Sequence, residues 1–160
     1  MKRMKKMITC ALALGALGAC ANIDYTAPAI ASAMETISVP GGRTLGPYSQ
    51  AVRAGDYVFL SGIIALNNKT GKFAEAEIEP QTRQVFANLK DVLAAAGLGL
   101  DDVVKTTVFL KNPKDFAPMN VIYAEYFKDH KPARSTVPGV DWGRPDLLIE
   151  IEAIAYAPRR

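Results

Sequence analysis

From about residue 50 the chain alternates between two hydrophobic rhythms. Gln50-Ala51-Val52-Arg53 and Tyr57-Val58-Phe59-Leu60-Ser61-Gly62 are β-rich runs flanking Ala54-Gly55-Asp56, which predicts a hairpin. Pro40-Gly41-Gly42 and Gly46-Pro47-Tyr48-Ser49 read as turns before it, and Asn67 to Gly71 as the turn after it. From about Pro80 the period lengthens. Val85, Leu89, Val92, Leu93 and Ala96 fall on one helical stripe, with Gly97 as a natural stop. Val103 to Lys111 alternates again as a strand, ended by Asn112-Pro113. A second helix is predicted over 118–128 on Met119, Ile122, Tyr123, Tyr126 and Phe127, whose helical spacing marks them as core. Arg134 to Val137 is the next strand, 138–145 is irregular, and Leu147 to Ala157 is the last strand.

The expected order is therefore β-β-α-β-α-β-β. One mixed sheet with both helices on one face is the economical α+β solution. Its other face keeps apolar residues that a symmetric oligomer would bury.

Composition excludes several classes. Half the residues are hydrophobic (49%), which argues for a packed core in place of disorder. Lys2, Arg3, Lys5 and Lys6 crowd the first six residues, and without them the formal charge falls from +3 to −1. A near-neutral body does not suit nucleic acid. The basic start runs into the apolar stretch Met7 to Ala19, the plan of an export signal too short for a stable membrane span. Leu17-Gly18-Ala19-Cys20 resembles a bacterial lipobox, so Cys20 would become a lipidated first residue. Residues 1–19 then form the signal, 20–33 a tether and 34–160 the domain, in the periplasm and possibly on a membrane. Ordinary cleavage nearby would release a soluble periplasmic protein, and an internal start at Met34 would give a cytoplasmic form.

The chemistry is narrowed by what is missing. Both cysteines, Cys10 and Cys20, lie in the leader, so the domain has no disulfide and no cysteine nucleophile. His130 is the lone histidine and suits a capping role; one histidine supplies no common zinc set and little basis for a triad. No glycine-rich phosphate loop opens either helix. In the last strand, period 2 sets Glu150 and Glu152 on one face, about 7 Å apart, against Ile149, Ile151 and Ala153 on the other. Such a pair could raise one pKa towards general acid–base work, or it could be a solvated strand face. Pro132 biases Lys131 to extended geometry and so aims Arg134, at the head of a strand, as a planar fork for a carboxylate. The alternatives are a surface arginine, or a salt bridge from Arg134 to the glutamates if the two strands pair.

Several stretches carry a family resemblance: Gly46-Pro47-Tyr48-Ser49-Gln50-Ala51-Val52, Ser61-Gly62, Lys69-Thr70-Gly71, Ala95-Ala96-Gly97-Leu98, Val104-Lys105-Thr106-Thr107-Val108-Phe109, Pro132-Ala133-Arg134-Ser135 and Ile151-Glu152-Ala153-Ile154-Ala155. From about Glu35 to Tyr156 the chain resembles the RidA/YjgF family, the reactive intermediate imine deaminases. The resemblance implies a chorismate-mutase-like homotrimer, its sheets forming a central barrel, with sites in clefts between subunits. It implies cofactor-independent hydrolysis of 2-aminoacrylate- and 2-iminobutyrate-type intermediates to 2-keto acids and ammonia. By position, Arg134 would bind the substrate carboxylate and Glu150 would activate water. Tyr48, Ser61, Gly62, Asn120 and Thr136 would line the cleft around the 2-imino or 2-keto acid. The chain departs from many relatives in Ile63-Ile64-Ala65 after Ser61-Gly62, in Thr136 where cysteine is common, in Lys131, and in the stretch through Trp142. A non-catalytic carboxylate binder or chaperone-like trimer in the envelope is the other reading. Ribonuclease activity, reported for some relatives, fits the near-neutral body poorly.

Overall fold

The computed structural model describes residues 34–158. The signal, the tether and Cys20 lie outside the described residues. Six strands form one sheet: β1 Met34–Ile37, β2 Ala51–Ala54, β3 Tyr57–Ile64, β4 Val103–Leu110, β5 Ala133–Pro138 and β6 Ile149–Tyr156. Helix α1 spans Ile78–Ala95 and α2 spans Phe116–Tyr126. The sheet order is β1-β2-β3-β6-β4-β5.

β2 and β3 form the expected hairpin, with Ala54 opposite Tyr57. Gly55 turns the chain at φ 59°, where a side chain would be strained. β1 adds an edge strand that the sequence pattern did not predict, because its four residues are too few to show a period and three are exposed. β3 and β4 both run antiparallel to β6, so they are parallel to each other, and β5 is parallel to β4. Each parallel pair is joined through a helix. Right-handed crossovers in the same direction put both helices on one face.

α1 buries Val85, Leu89, Val92 and Leu93 as its spacing predicts. Each is worth roughly 1.5–3 kcal/mol relative to exposure. Its end is a Schellman motif: Gly97 at φ 73° donates to Ala94 O, and Leu98 donates to Leu93 O, both at 2.9 Å. α2 packs Tyr123 and Phe127 edge-on and Tyr126 flat against Phe86, confirming the aromatics as core. His130 Nε2 lies 2.7 Å from Val103 O, a structural contact.

One expectation is overturned. β5 does not pair with β6, because β4 lies between them. The sequence-adjacent strands are separated because β6 buries Ile149, Ile151, Ala153 and Ala155 and takes a central slot bonded on both edges. β5, mostly exposed, is left at the rim. On the face away from the helices Tyr57, Phe59 and Tyr156 stay 45%, 46% and 44% exposed.

Candidate active site

The sheet's regular pairing breaks in β3. Leu60 faces Ala153 and Ile63 faces Ile151, so Ser61 and Gly62 together oppose Glu152. Such a bulge re-aims the residues beside it. Ser61 is fixed by its Oγ, which donates to Ser49 O at 2.7 Å, and by its N–H, which donates to Gln50 O at 3.0 Å. Gly62 lies directly beneath the Glu150 side chain, and a Cβ there would fall on the carboxylate. Here glycine is required by close approach.

Around this point opens a small cleft, walled by Arg43, Leu45, Tyr48, Ser61, Gly62 and Ile63 among others. Tyr48 is held in its loop by the Leu45 N–H, which donates to its Oη at 3.2 Å. Ile63, the first residue of the stretch that departs from many relatives, is buried and forms part of the cleft wall.

Glu150 is half-buried. Burial pushes its carboxyl above the ordinary glutamate range and Glu152 adds to this, while a hydrogen bond from Trp142 pulls it back. Trp142 is presented by a stapled loop. Lys111 Nζ reaches Asp141 Oδ1 at 3.2 Å and Arg144 O at 3.1 Å, and Gly143 N–H donates to Asp141 Oδ1 at 3.0 Å.

Two buried amides of α1 fix the backbone on which the site stands. Gln81 donates to Asp146 O at 2.6 Å and accepts from Leu148 N–H at 2.9 Å, just before Glu150. Asn88 donates to Ile64 O at 2.9 Å and Leu66 O at 2.8 Å, just after the bulge. Sequence reasoning missed both. The available signal was that Gln81 and Asn88 continue the Val85–Val92 stripe at helical spacing, placing polar groups in a buried row.

Arg134, Thr136 and Asn120 lie elsewhere. Arg134 pairs with Thr106 and Thr136 with Val108, on the helix-covered face. Thr106 marks that face, being fully buried with its Oγ1 2.8 Å from Tyr123 Oη. Glu150 pairs with Phe109, on the opposite face. The alternative of a salt bridge between Arg134 and the glutamates is therefore ruled out within one chain. Arg134 instead lies over the aromatic rings of Tyr123 and Phe116. Asn120 is one helical turn from both rings, so it belongs with this second group. The candidate residues thus fall into two groups on opposite faces of the sheet: Tyr48, Ser61, Gly62, Glu150 and Trp142 in one, and Arg134, Thr136 and Asn120 in the other. Among the described residues no group of His, Cys, Asp and Glu could hold a metal, and no helix is long and apolar enough to cross a membrane.

Residues 40–157 match the family model described as Endoribonuclease L-PSP. A RutC family protein of Pyrococcus horikoshii is 53% identical over 71% of this chain and 90% of its own length. This chain belongs to the RidA/YjgF family. The 2-iminobutanoate/2-iminopropanoate deaminase of Escherichia coli is 45% identical to this RidA/YjgF member, over 69% of this chain and 88% of that one. E. coli TdcF, solved with bound serine, superposes with a TM-score of 0.69 at 36% identity, covering 76% of this chain and 98% of that one. The six-stranded sheet with two helices is thus the fold of the RidA/YjgF relatives of known structure.

Proposed function

We propose that the protein hydrolyses imines and enamines of small 2-amino acids to 2-keto acids and ammonia. The observation that carries this reading is the half-buried Glu150 carboxylate seated on Gly62 beside the cleft, with its proton affinity raised. Water adds to the imine carbon while Glu150 accepts one of its protons. That proton passes to the nitrogen to give the carbinolamine; the hydroxyl proton then follows it to the amino group through the same carboxylate, the C–N bond breaks as the C=O bond forms, and ammonia leaves. An enamine first takes a proton at its β-carbon to become the imine. Because an imine is already electrophilic, orientation and one proton acceptor supply what the step needs.

The substrate carboxylate is held by Arg134, whose guanidinium lies over Tyr123 and forms no salt bridge among the described residues. Since Arg134 and Glu150 occupy opposite faces of one sheet, the arginine comes from a neighbouring copy. A homotrimer closing its exposed Tyr57, Phe59 and Tyr156 face into a central barrel would bring them together. The deaminase name of the E. coli relative supports the activity. The endoribonuclease in the family description is not carried over, because the body of the chain is near neutral.

The test generates an imine in situ with an amino-acid oxidase and follows its decay by semicarbazide trapping. The protein should accelerate decay. Arg134→Ala should raise KM roughly ten- to hundredfold, the worth of a charged hydrogen bond. No acceleration, or full activity in Arg134→Ala, would sink the proposal. The serine held by TdcF favours one second reading, a small-carboxylate binder without turnover. Calorimetry showing tight 2-keto acid binding alongside no catalysis would decide for it. We further infer export, with a lipid anchor at Cys20. Labelled palmitate incorporated equally by wild type and Cys20→Ser would refute the anchor.

A further inference from the structure

The Arg134 guanidinium carbon lies 4.6 Å from the Tyr123 ring centroid and 5.8 Å from that of Phe116. Tyr123 cannot easily move. It is buried, its Oη is bonded to Thr106 Oγ1 at 2.8 Å, and Phe86 and Phe127 pack on its ring with centroids at 5.6 and 4.8 Å. Thr106 is itself the β4 residue paired with Arg134. Strand and ring are therefore tied to each other at the level of the guanidinium. No salt bridge among the described residues draws Arg134 to a carboxylate of its own chain, so its donors stay available. A long side chain on an edge strand has many rotamers, and binding must otherwise meet the cost of ordering it.

We propose that Tyr123, with Phe116 beside it, is a positioning residue that fixes the Arg134 guanidinium for two-point capture of a substrate carboxylate. This rests on the reading of Arg134 as the carboxylate anchor. The attraction between cation and ring face holds the fork before the ligand arrives. The effect belongs to the ring and not to the hydroxyl. It also belongs to binding and not to the bond-breaking step, since Tyr123 acts on Arg134 and Arg134 acts on the substrate carboxylate.

The test compares wild type with Tyr123→Phe, Tyr123→Leu and Phe116→Ala in the assembled protein. Calorimetry gives Kd for 2-oxobutanoate, the imine assay gives KM and kcat, and the Arg134 Nε–H resonance reports the ring current. Tyr123→Phe should keep Kd and the shifted resonance. Tyr123→Leu should lose the shift and weaken binding roughly three- to thirtyfold, with KM rising in step and kcat within about twofold. If Tyr123→Leu does not fold, Phe116→Ala decides, because Phe116 is exposed; it should weaken binding in the same sense. Unchanged Kd in the folded variants overturns the proposal, as does equal loss in Tyr123→Phe and Tyr123→Leu. A wild type that binds the keto acid without turnover removes the deaminase reading and leaves this one standing. A wild type that binds no keto acid removes both.

Discussion

Placing Arg134 and Glu150 on opposite faces of one sheet makes a quantitative demand on mixtures of inactive chains. On the proposed reading Arg134→Ala abolishes the carboxylate clamp and Glu150→Gln removes the proton acceptor, so each pure oligomer should be nearly inactive at low substrate. A working site needs an intact Arg134 from one copy and an intact Glu150 from its neighbour. In a ring of identical heterologous contacts with random 1:1 mixing, each requirement is met with a chance of one half. About a quarter of the sites should then regain both residues, whatever the number of copies in the ring.

The assay unfolds the two variants together, refolds them, and measures imine hydrolysis against the wild type at substrate well below the wild-type KM, where the Arg134→Ala loss is expressed. Mixing without unfolding is the control and should show recovery only as fast as subunits exchange. Activity that stays at the level of the separate variants would refute the shared site. It would require Arg134 and Glu150 to meet within one chain, against the pairing of Arg134 with Thr106 and of Glu150 with Phe109. Recovery well above a quarter would also count against it, since random pairing cannot supply more.

Gly62→Ala should disturb the site through Glu150 alone. The new Cβ would stand 3.0 Å from Glu150 Cγ, against about 3.5–4.0 Å for an ordinary carbon contact. Overpacking of this kind costs about 1–3 kcal/mol, or roughly 3–15 °C in Tm by calorimetry, and the displaced base should lower kcat about a hundredfold or more. A Gly62→Ala enzyme with wild-type kcat would show that Glu150 is not the base. The raised Glu150 pKa fixes two opposite pH trends. Its contribution to stability is complete below the unfolded value of about 4.3 and is lost as pH rises through the higher folded value. Chemical denaturation of wild type and Glu150→Gln across that window should show the difference closing against wild type as pH rises. Activity follows the ionised form, so the acidic limb of kcat/KM should lie above the usual carboxylate range and move higher still in Trp142→Phe. A limb that stays put in Trp142→Phe would contradict the part given to the indole.

What could be read from the sequence, and what could not, divides along the same line as the two groups of candidate residues. Period 2 in Ile149 to Tyr156 was enough to put Glu150 and Glu152 on one face, and the structure keeps them there. Helical spacing was enough to identify α1, α2 and their aromatic core, because a local repeat determines which face is buried. Neighbour order is not local. Nothing in Arg134 to Val137 or Leu147 to Ala157 says which strand comes between them, and the habit of pairing consecutive strands gave the wrong answer. The signal that could have corrected it was relative burial. The more apolar strand, β6, has most to gain from a central slot, and that displaces β5 to the rim with its arginine on the helix side. That displacement is also what leaves Arg134 without a salt bridge among the described residues. Beside β6, Arg134 could have met Glu150 or Glu152 and been neutralised within its own chain; beyond β4, it rests on Tyr123 and stays available to an incoming carboxylate.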